Sequence, residues 1–406
     1  MCFVTVPHPL GMISKEEVNA KVDAAFDDIV KAATAWTPSK EKQDAQVKPY
    51  PAKRFKFSGT YADVNDMFQK RKWSLSLPIV PPTVDKVAAM LKGTKRNPAE
   101  VLWVVPPRQG MLTVELGAAL GGRAGAKPEH MPLLIATVEA MTDPVAAWRG
   151  PTTTTAATVP VFFISGPIIE KLKLNPGTGT AGGENPVTNA LGYFVNLVGD
   201  VVGGSVPPNF DKSTHGSSAD LVAMVFTENA KENPWKTTYA EEAGFKPGDS
   251  IVTHFSAYLG NANIDHDSKT GQRLLTTLST GLLGSASGLA SCLADYDATY
   301  AINNKVSFAF IVLCPEHAAT IAKDFPDQRA ARDFMRETAA MPYKFYSQET
   351  CVPGKDFGPY DENTFIPRFK KTESIKFFVS GGPGKQSQIW VPFPQVFKPV
   401  SKKIAE

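Results

Sequence analysis

The tripeptide Pro-Glu-His occurs twice in this chain, at 128–130 and at 315–317, each time where a helix should begin. A proline in the first helical turn has its φ preset and lacks the amide hydrogen that would go unpaired there. The glutamate behind it meets the positive end of the helix dipole. The second copy follows the apolar run VSFAFIVL, Val306 to Leu313, and so reads as strand, tight turn, helix. The first follows LTVELGAALGGRAGA, an apolar segment that runs into a small-residue loop. Strand-to-helix turns at the carboxyl ends of strands are where α/β proteins hold ligands. The echo therefore predicts an α/β fold of two related halves with mixed sheets, an internal pseudo-repeat whose two turns face one cleft.

Other segments fill in this outline. Residues 14–35 have the spacing of an amphipathic helix, with Ser14 and Glu17 as a capping box and Val18, Val22, Phe26, Ile29 and Val30 on one face. The charged, proline-containing stretch TPSKEKQDAQVKPYPAK follows as a linker. This divides the chain into an N-terminal helical arm and linker (1–50), a first α/β half (51–245) and a second (246–406). LPIVPPTVDKVAAMLKG reads as an extended entry into a helix that starts at Thr83 or Val84 and closes at Gly93. VLWVVPP and VFFISGP read as strands, MPLLIATVEAM as a helix, YLGNANIDHDSKTGQ as a loop and TGLLGSASGLASCLA as a tightly packed helix. The piece from Met341 to Lys371 is irregular, and SIKFFVSGGPGKQSQIWVPF ends the fold with a Gly-rich turn. A second Gly-rich run, LNPGTGTAGGENPVTNALG, lets backbone amides approach an anion or carbonyl closely, but it has neither the Walker A nor the dinucleotide spacing.

With 406 residues the chain can bury a large core, and its net charge of +3 carries no nucleic-acid or membrane footprint. No run of 18 apolar residues occurs, and the opening MCFVTVPHPLGM lacks the pattern of a signal peptide, so a cytoplasmic protein is expected. Cys2, Cys292, Cys314 and Cys351 are too widely spaced for a disulfide framework or a structural zinc site. Cys314 stands directly before Pro315, where a helix amino terminus can lower a thiol pKa, although a lone buried cysteine at a strand end is more often inert.

Several groups are candidates for chemistry. Glu129 with His130, and Glu316 with His317, combine a carboxylate and an imidazole at a helix start, a setting for general acid and base work. Alternating apolar and polar residues put Glu228, Asn229 and Glu232 near a strand end. His254 and His266, with Asp265 and Asp267, offer nitrogen and oxygen ligands of the kind a divalent metal ion takes, although no HExxH or HxH spacing supports it. No GxSxG elbow is present, and STHGSS reads as a polar turn.

Taken in order, the blocks LPIVPPTVDKVAAML, TVELGAALGGRAGAKPEHMPLLIATVEAM, FFISGPI, FTENAKENPW, GDSIVTHF, LCPEHA and FFVSGGPGKQSQIW resemble the large domain of the UGSC family over roughly residues 73–395. That family is named for a selenocysteine-or-cysteine, Gly, Ser, Cys redox motif in a companion domain, and VPHPLGMISKEEV resembles the closing segment of that companion. This chain contains neither UGSC nor CGSC. The resemblance therefore implies a subunit of a UGSC-type enzyme acting on a small polar molecule, with redox or thiol chemistry completed by a small partner carrying the Cys/Sec-Gly-Ser-Cys motif. Where relatives carry Ala-Gly-Cys-Lys-Pro-Glu this chain has Ala126, which puts any chemistry of that sulfur in doubt. Carried over, Glu129, Glu228, Glu316 and His317 join His130 as catalytic candidates, and Lys127, Asn185, Asn189 and Asn229 as substrate-binding ones. Two alternatives stay open: a self-sufficient, metal-assisted lyase or hydratase using His254, His266 and Glu228, and a non-catalytic scaffold subunit.

Overall fold

The structure, a computed structural model, describes residues 4, 6–7, 13–35, 50–207, 214–258, 260–284, 308–345, 361–369, 371–393, 396 and 398–405. Residues 1–49 and 50–406 form two separate compact units. In the first, α1 (Lys15–Thr34) begins with the expected capping box. Ser14 Oγ accepts the Glu17 N–H at 3.2 Å, and Glu17 Oε2 accepts the Ser14 N–H at 2.9 Å.

The second unit opens with α2 (Tyr61–Lys70), α3 (Val84–Leu91) and a hairpin of β1 (Val101–Val105) and β2 (Gly110–Thr113). The segment before the first Pro-Glu-His is itself a helix, α4 (Val114–Arg123), started by Thr113, whose Oγ1 accepts the Leu116 N–H at 3.1 Å. A 3-10 turn at Pro128–His130 then enters α5 (Met131–Thr142). The first echo is thus helix, turn, helix. Next come β3 (Thr158–Ser165), α6 (Ile168–Lys171), α7 (Pro186–Asn196), β4 (Met224–Thr227), α8 (Tyr239–Glu242), β5 (Ile251–Tyr258) and β6 (Asn261–Ile264). The chain continues through α9 (Gly271–Gly284), β7 (Ala309–Leu313), α10 (Pro315–Asp324), α11 (Gln328–Thr338), the short pair β8 (Ala340–Pro342) and β9 (Phe365–Pro367), then β10 (Ile375–Val379), β11 (Gln386–Trp390) and β12 (Val400–Lys403). The linker at 36–49, most of TGLLGSASGLASCLA, and Cys2, Cys292 and Cys351 lie outside the described residues. Among the described residues no helix is long and apolar enough to cross a membrane.

The fold is α/β with mixed sheets, and its two four-stranded sheets repeat one pattern. One has the order β12-β5-β3-β4, the other β6-β11-β7-β10, and in each the first two pairings are antiparallel and the last parallel. The fourth strands are exchanged: β6 leaves the first half to pair with β11, and β12 leaves the second to pair with β5. The segment read as a loop over 258–272 therefore contains an edge strand, which its polar sequence conceals. Matching hydrogen bonds fix the register of the repeat. Glu228 N–H donates to Ile164 O where Ser380 N–H donates to Leu313 O, and Asp265 N–H donates to Lys385 O where Ile404 N–H donates to Ser250 O. The axis passes beside the Ala257–Pro392 bridge, flanked by the reciprocal bonds Tyr258 N–H to Val391 O and Phe393 N–H to Ser256 O. By this pattern the halves run 158–264 and 309–403, so β5 and β6 belong with the first half although they lie beyond the boundary expected near 246. The repeat also equates Cys314 with Ser165, not with the first Pro-Glu-His.

The sheets pack face to face with helices outside both, giving four layers. Phe163, Phe226 and Phe255 meet Phe310, Phe378 and Trp390 between the sheets. Phe162, Ile164 and Val252 face α4, α5 and α7, whereas Ile311, Leu313, Phe377 and Val379 face α9, α10 and α11. This explains why TVPVFFIS and AFIVL are buried on both faces and show no alternation. Pro160 is tolerated in the central strand β3 because β4 pairs only from Val161 onward. At the centre, the Phe163 ring stacks on Phe310 at 4.4 Å and meets Phe378 edge-on at 4.8 Å. Phe163→Ala is expected to lower the unfolding free energy by about 3–5 kcal/mol in denaturant titration, and a loss below about 1 kcal/mol would contradict this packing.

Candidate functional site

The parallel strands of each sheet end on the same side, and the two sheets meet there. Asn229 N–H donates to Val379 O at 2.8 Å, and Ser380 Oγ donates to Thr227 O at 2.7 Å. The two Gly-rich runs come together at the same place. Gly381 N–H donates to Pro176 O at 2.8 Å, and a Cβ on Gly382 would lie 2.1 Å from Thr178 Oγ1, so only glycine permits this approach. The asparagines expected to bind substrate hold these loops. Asn229 Nδ2 donates to Gly381 O at 3.0 Å, and Asn189 Nδ2 donates to Gly182 O and Gly183 O at 3.2 and 3.3 Å. Asn185 is buried as the cap of α7, its Oδ1 accepting the Thr188 N–H at 3.4 Å.

Beside these loops the second Pro-Glu-His builds a thiol–imidazole cluster. Cys314 directly follows β7 and caps α10 with its backbone extended, because Pro315 disfavours helical torsions in the residue before it. Its N–H donates to Ser387 Oγ at 3.3 Å. The His317 ring lies between Ser387 Oγ, 2.8 Å from Nδ1, and the Asp265 carbonyl, 3.1 Å from Nε2. A carbonyl can only accept, so Nε2 carries a proton and Nδ1 is the nitrogen that gains or loses one. Burial pushes the Cys314 thiol up, but His317 and the Ser387 hydroxyl outweigh it and hold the thiol below its ordinary value. Burial likewise pushes His317 down, and Cys314 together with the Asp265 carbonyl reverses this, so the imidazole lies above its ordinary value. These opposite shifts favour a thiolate–imidazolium pair. Glu316 braces the cluster from outside, its Oε2 accepting the N–H groups of Gly384 at 2.6 Å and Lys385 at 3.0 Å, which lowers its pKa. Cys314 retains 5% exposure and His317 2%. Ser387 was not a candidate from sequence; the only signal was its place in the Gly-rich turn before IW.

The equivalent position in the first half has different chemistry. Ser165 ends β3, and Glu228, 3% exposed, follows β4. Glu228 Oε1 accepts the Tyr239 N–H at 2.7 Å, but Oε2 makes no hydrogen bond of ordinary geometry among the described residues. Burial pushes this carboxyl up to about 7, with Glu241 and Glu242 adding to the rise and Ser165 and the Tyr239 N–H opposing it.

The other candidates are elsewhere. The first Pro-Glu-His belongs to the helical layer over the other sheet, so the two copies do not frame one cleft. His130 Nδ1 accepts the Lys127 N–H at 3.0 Å, burial lowers its pKa, and Lys127 and Glu129 are exposed. The turn packs so tightly on α3 that a Cβ on Gly93 would lie 1.8 Å from Pro128 O. Its role is to start α5. His254 and His266 are not brought together as ligands. His254 is fully buried, stacked on Phe162 at 4.5 Å, with Nδ1–H donating to Val161 O at 3.2 Å, and burial pushes its pKa down to about 3. His266 is exposed on the loop after β6. Burial would raise the Asp265 carboxyl, but it accepts from the Asp267 and Ser268 N–H groups and from the Ser268 and Thr277 hydroxyls, which hold it at about 2. Among the described residues no three His, Cys, Asp or Glu side chains are grouped to hold a metal ion.

No family model, curated protein or solved structure matches this chain. What the site can do rests on its own geometry.

Glu228 has a measurable consequence for stability. Below its unfolded value of 4.5 the carboxyl is protonated in both states, and the stability it lends is complete. As pH rises toward about 7 the unfolded chain gives up the proton while the folded chain keeps it, so stability falls. Above that pH the loss is complete, on the order of 3 kcal/mol. Denaturant midpoints of wild type and Glu228→Gln, compared on both sides of this window, are expected to diverge as pH rises, with the glutamine chain the more stable at high pH. Parallel pH profiles would show that Glu228 ionises freely.

Proposed function

We propose that this chain is a subunit of a UGSC-type, thiol-linked enzyme acting on a small polar molecule, and that Cys314 with His317 is the reactive pair it contributes. The observation that carries this is the Cys314–His317–Ser387 cluster at the mouth of α10, where a thiol is lowered and its imidazole raised. The chemistry follows from that pairing. Cys314 loses its proton to the imidazole, the thiolate forms a bond to an electrophilic atom of the bound molecule, and the bond to the leaving group breaks. The leaving group then takes the proton from His317. The Gly-rich loops around 176–183 and 381–385 supply backbone at the rim, and Glu316 holds the second of them in place. The small subunit with the Cys/Sec-Gly-Ser-Cys motif supplies the second thiol or selenol in this scheme. The metal-assisted lyase or hydratase has no comparable support, because His254 is sealed between aromatic rings in the core.

Two measurements test this. Alkylation of Cys314 by iodoacetamide, followed by peptide mass spectrometry, is expected to have a pH midpoint below that of an ordinary thiol. The midpoint should move up in His317→Asn and in Ser387→Ala. An unchanged midpoint in both variants would remove the reactive pair. Native mass spectrometry of the chain from its own host is expected to show the small motif-bearing subunit in complex with it. A homo-oligomer that is active alone would sink the two-subunit scheme while leaving the alkylation result intact.

A further inference from the structure

A cavity of about 670 Å³ opens at the other end of β3, where Thr153 and Thr154 lead into the strand. The β3 residues 158–164 separate it from Ser165, roughly 23 Å at strand rise, so it is not part of the thiol site. Its wall is part aromatic and part polar. Trp103 from β1 and Trp148 meet edge to face at 5.7 Å, with Met141, Phe393, Pro106 and Pro144 among the other apolar lining residues.

These walls are held rigidly. Ala147 takes a left-handed backbone, φ 49°, which turns Trp148 inward beneath the end of α5. Trp148 then rests on Gly199, where a Cβ would lie 3.2 Å from its ring. Gly199 belongs to a π-helical stretch at Leu197–Val202, a feature that recurs at functional sites. Gly203 just after it packs on the Pro106 carbonyl, where a Cβ would lie 2.5 Å away, so the same irregular turn supports both sides of the cavity.

The rim is basic. Asp143 is the acidic group there, and Lys402 Nζ pairs with it at 2.8 Å and holds its pKa low, with Lys398 adding to the effect. Arg149 is exposed on the same rim, and among the described residues no carboxylate takes it up. Two nearby hydroxyls are committed as donors, Thr153 Oγ1 to Arg149 O at 2.7 Å and Thr142 Oγ1 to Glu139 O at 3.1 Å, whereas Thr154 Oγ1 accepts the Ala156 N–H at 3.2 Å and keeps its own proton. The planar fork of a guanidinium matches a planar, singly charged carboxylate.

We propose that the Trp103–Trp148 cavity is a second ligand site, which takes a small planar aromatic carboxylate, its ring against the indoles and its charge on Arg149. The volume lies within the range of small-molecule pockets, and flat aromatic walls with one placed cation are what such a ligand needs. The test uses the full chain with 2-naphthoate and its uncharged isostere 2-naphthamide, followed by calorimetry and tryptophan fluorescence. Saturable one-to-one binding of 2-naphthoate with quenching is expected. Arg149→Met should weaken 2-naphthoate about tenfold and leave 2-naphthamide unchanged, the size of one charge-assisted hydrogen-bonded contact. Trp103→Leu should weaken both ligands; if that variant fails to fold, the exposed Arg149 carries the test alone. Absence of saturable binding, or 2-naphthoate affinity unaffected by Arg149→Met, would overturn the site.

Discussion

Everything in the larger unit depends on the aromatic layer between the two sheets. Phe163 stacks on Phe310 and meets Phe378, while Phe226 meets Trp390 edge-on at 5.8 Å. Such rings bury large apolar areas and interlock in few orientations, so the sheets cannot slide without losing several contacts together. Exchange of β6 and β12 adds a second constraint. Each half lends its last strand to the other, so neither sheet is complete without both halves.

That arrangement decides where chemistry can lie. With two parallel strand pairs ending side by side, the carboxyl ends of β3, β4, β7 and β10 converge and the glycine-rich loops that follow them interlock. The repeat then sets Ser165 with Glu228 in one half against Cys314 with Ser380 in the other. Symmetry of backbone coexists here with asymmetry of side-chain chemistry. One half buries a carboxyl, which favours its neutral form, and the other surrounds a thiol with an imidazole and a hydroxyl, which favours its charged form.

Much of this was legible in the chain itself. The capping box at Ser14, the helix starting at Val84, the strands VLWVV and VFFIS, and the second Pro-Glu-His all lie where local rules put them. Cys314, directly before Pro315, reads from the sequence as a thiol at a helix mouth. The first Pro-Glu-His misled because proline and glutamate start helices whatever precedes them, and here a helix precedes. β6 escapes the sequence because NANI is only four residues long, half of it asparagine, and lies among turn residues; it is a strand by pairing with β11. His254 and His266 share a ligand type but not a place: one is fixed in a central strand, the other in an exposed turn.

The sequence by itself determined the local elements, because propensity, capping and proline geometry act within a few residues. It also determined that the wholly apolar strands would be covered on both faces. Only the tertiary structure decided which residues act together. His317 finds Ser387 seventy residues away, the glycine loops meet across two halves, and Trp103 meets Trp148 over an irregular turn. Those partnerships arise from sheet pairing and strand exchange, long-range contacts with no signature in local spacing, and the pKa of each group is set only once its partners and burial are in place.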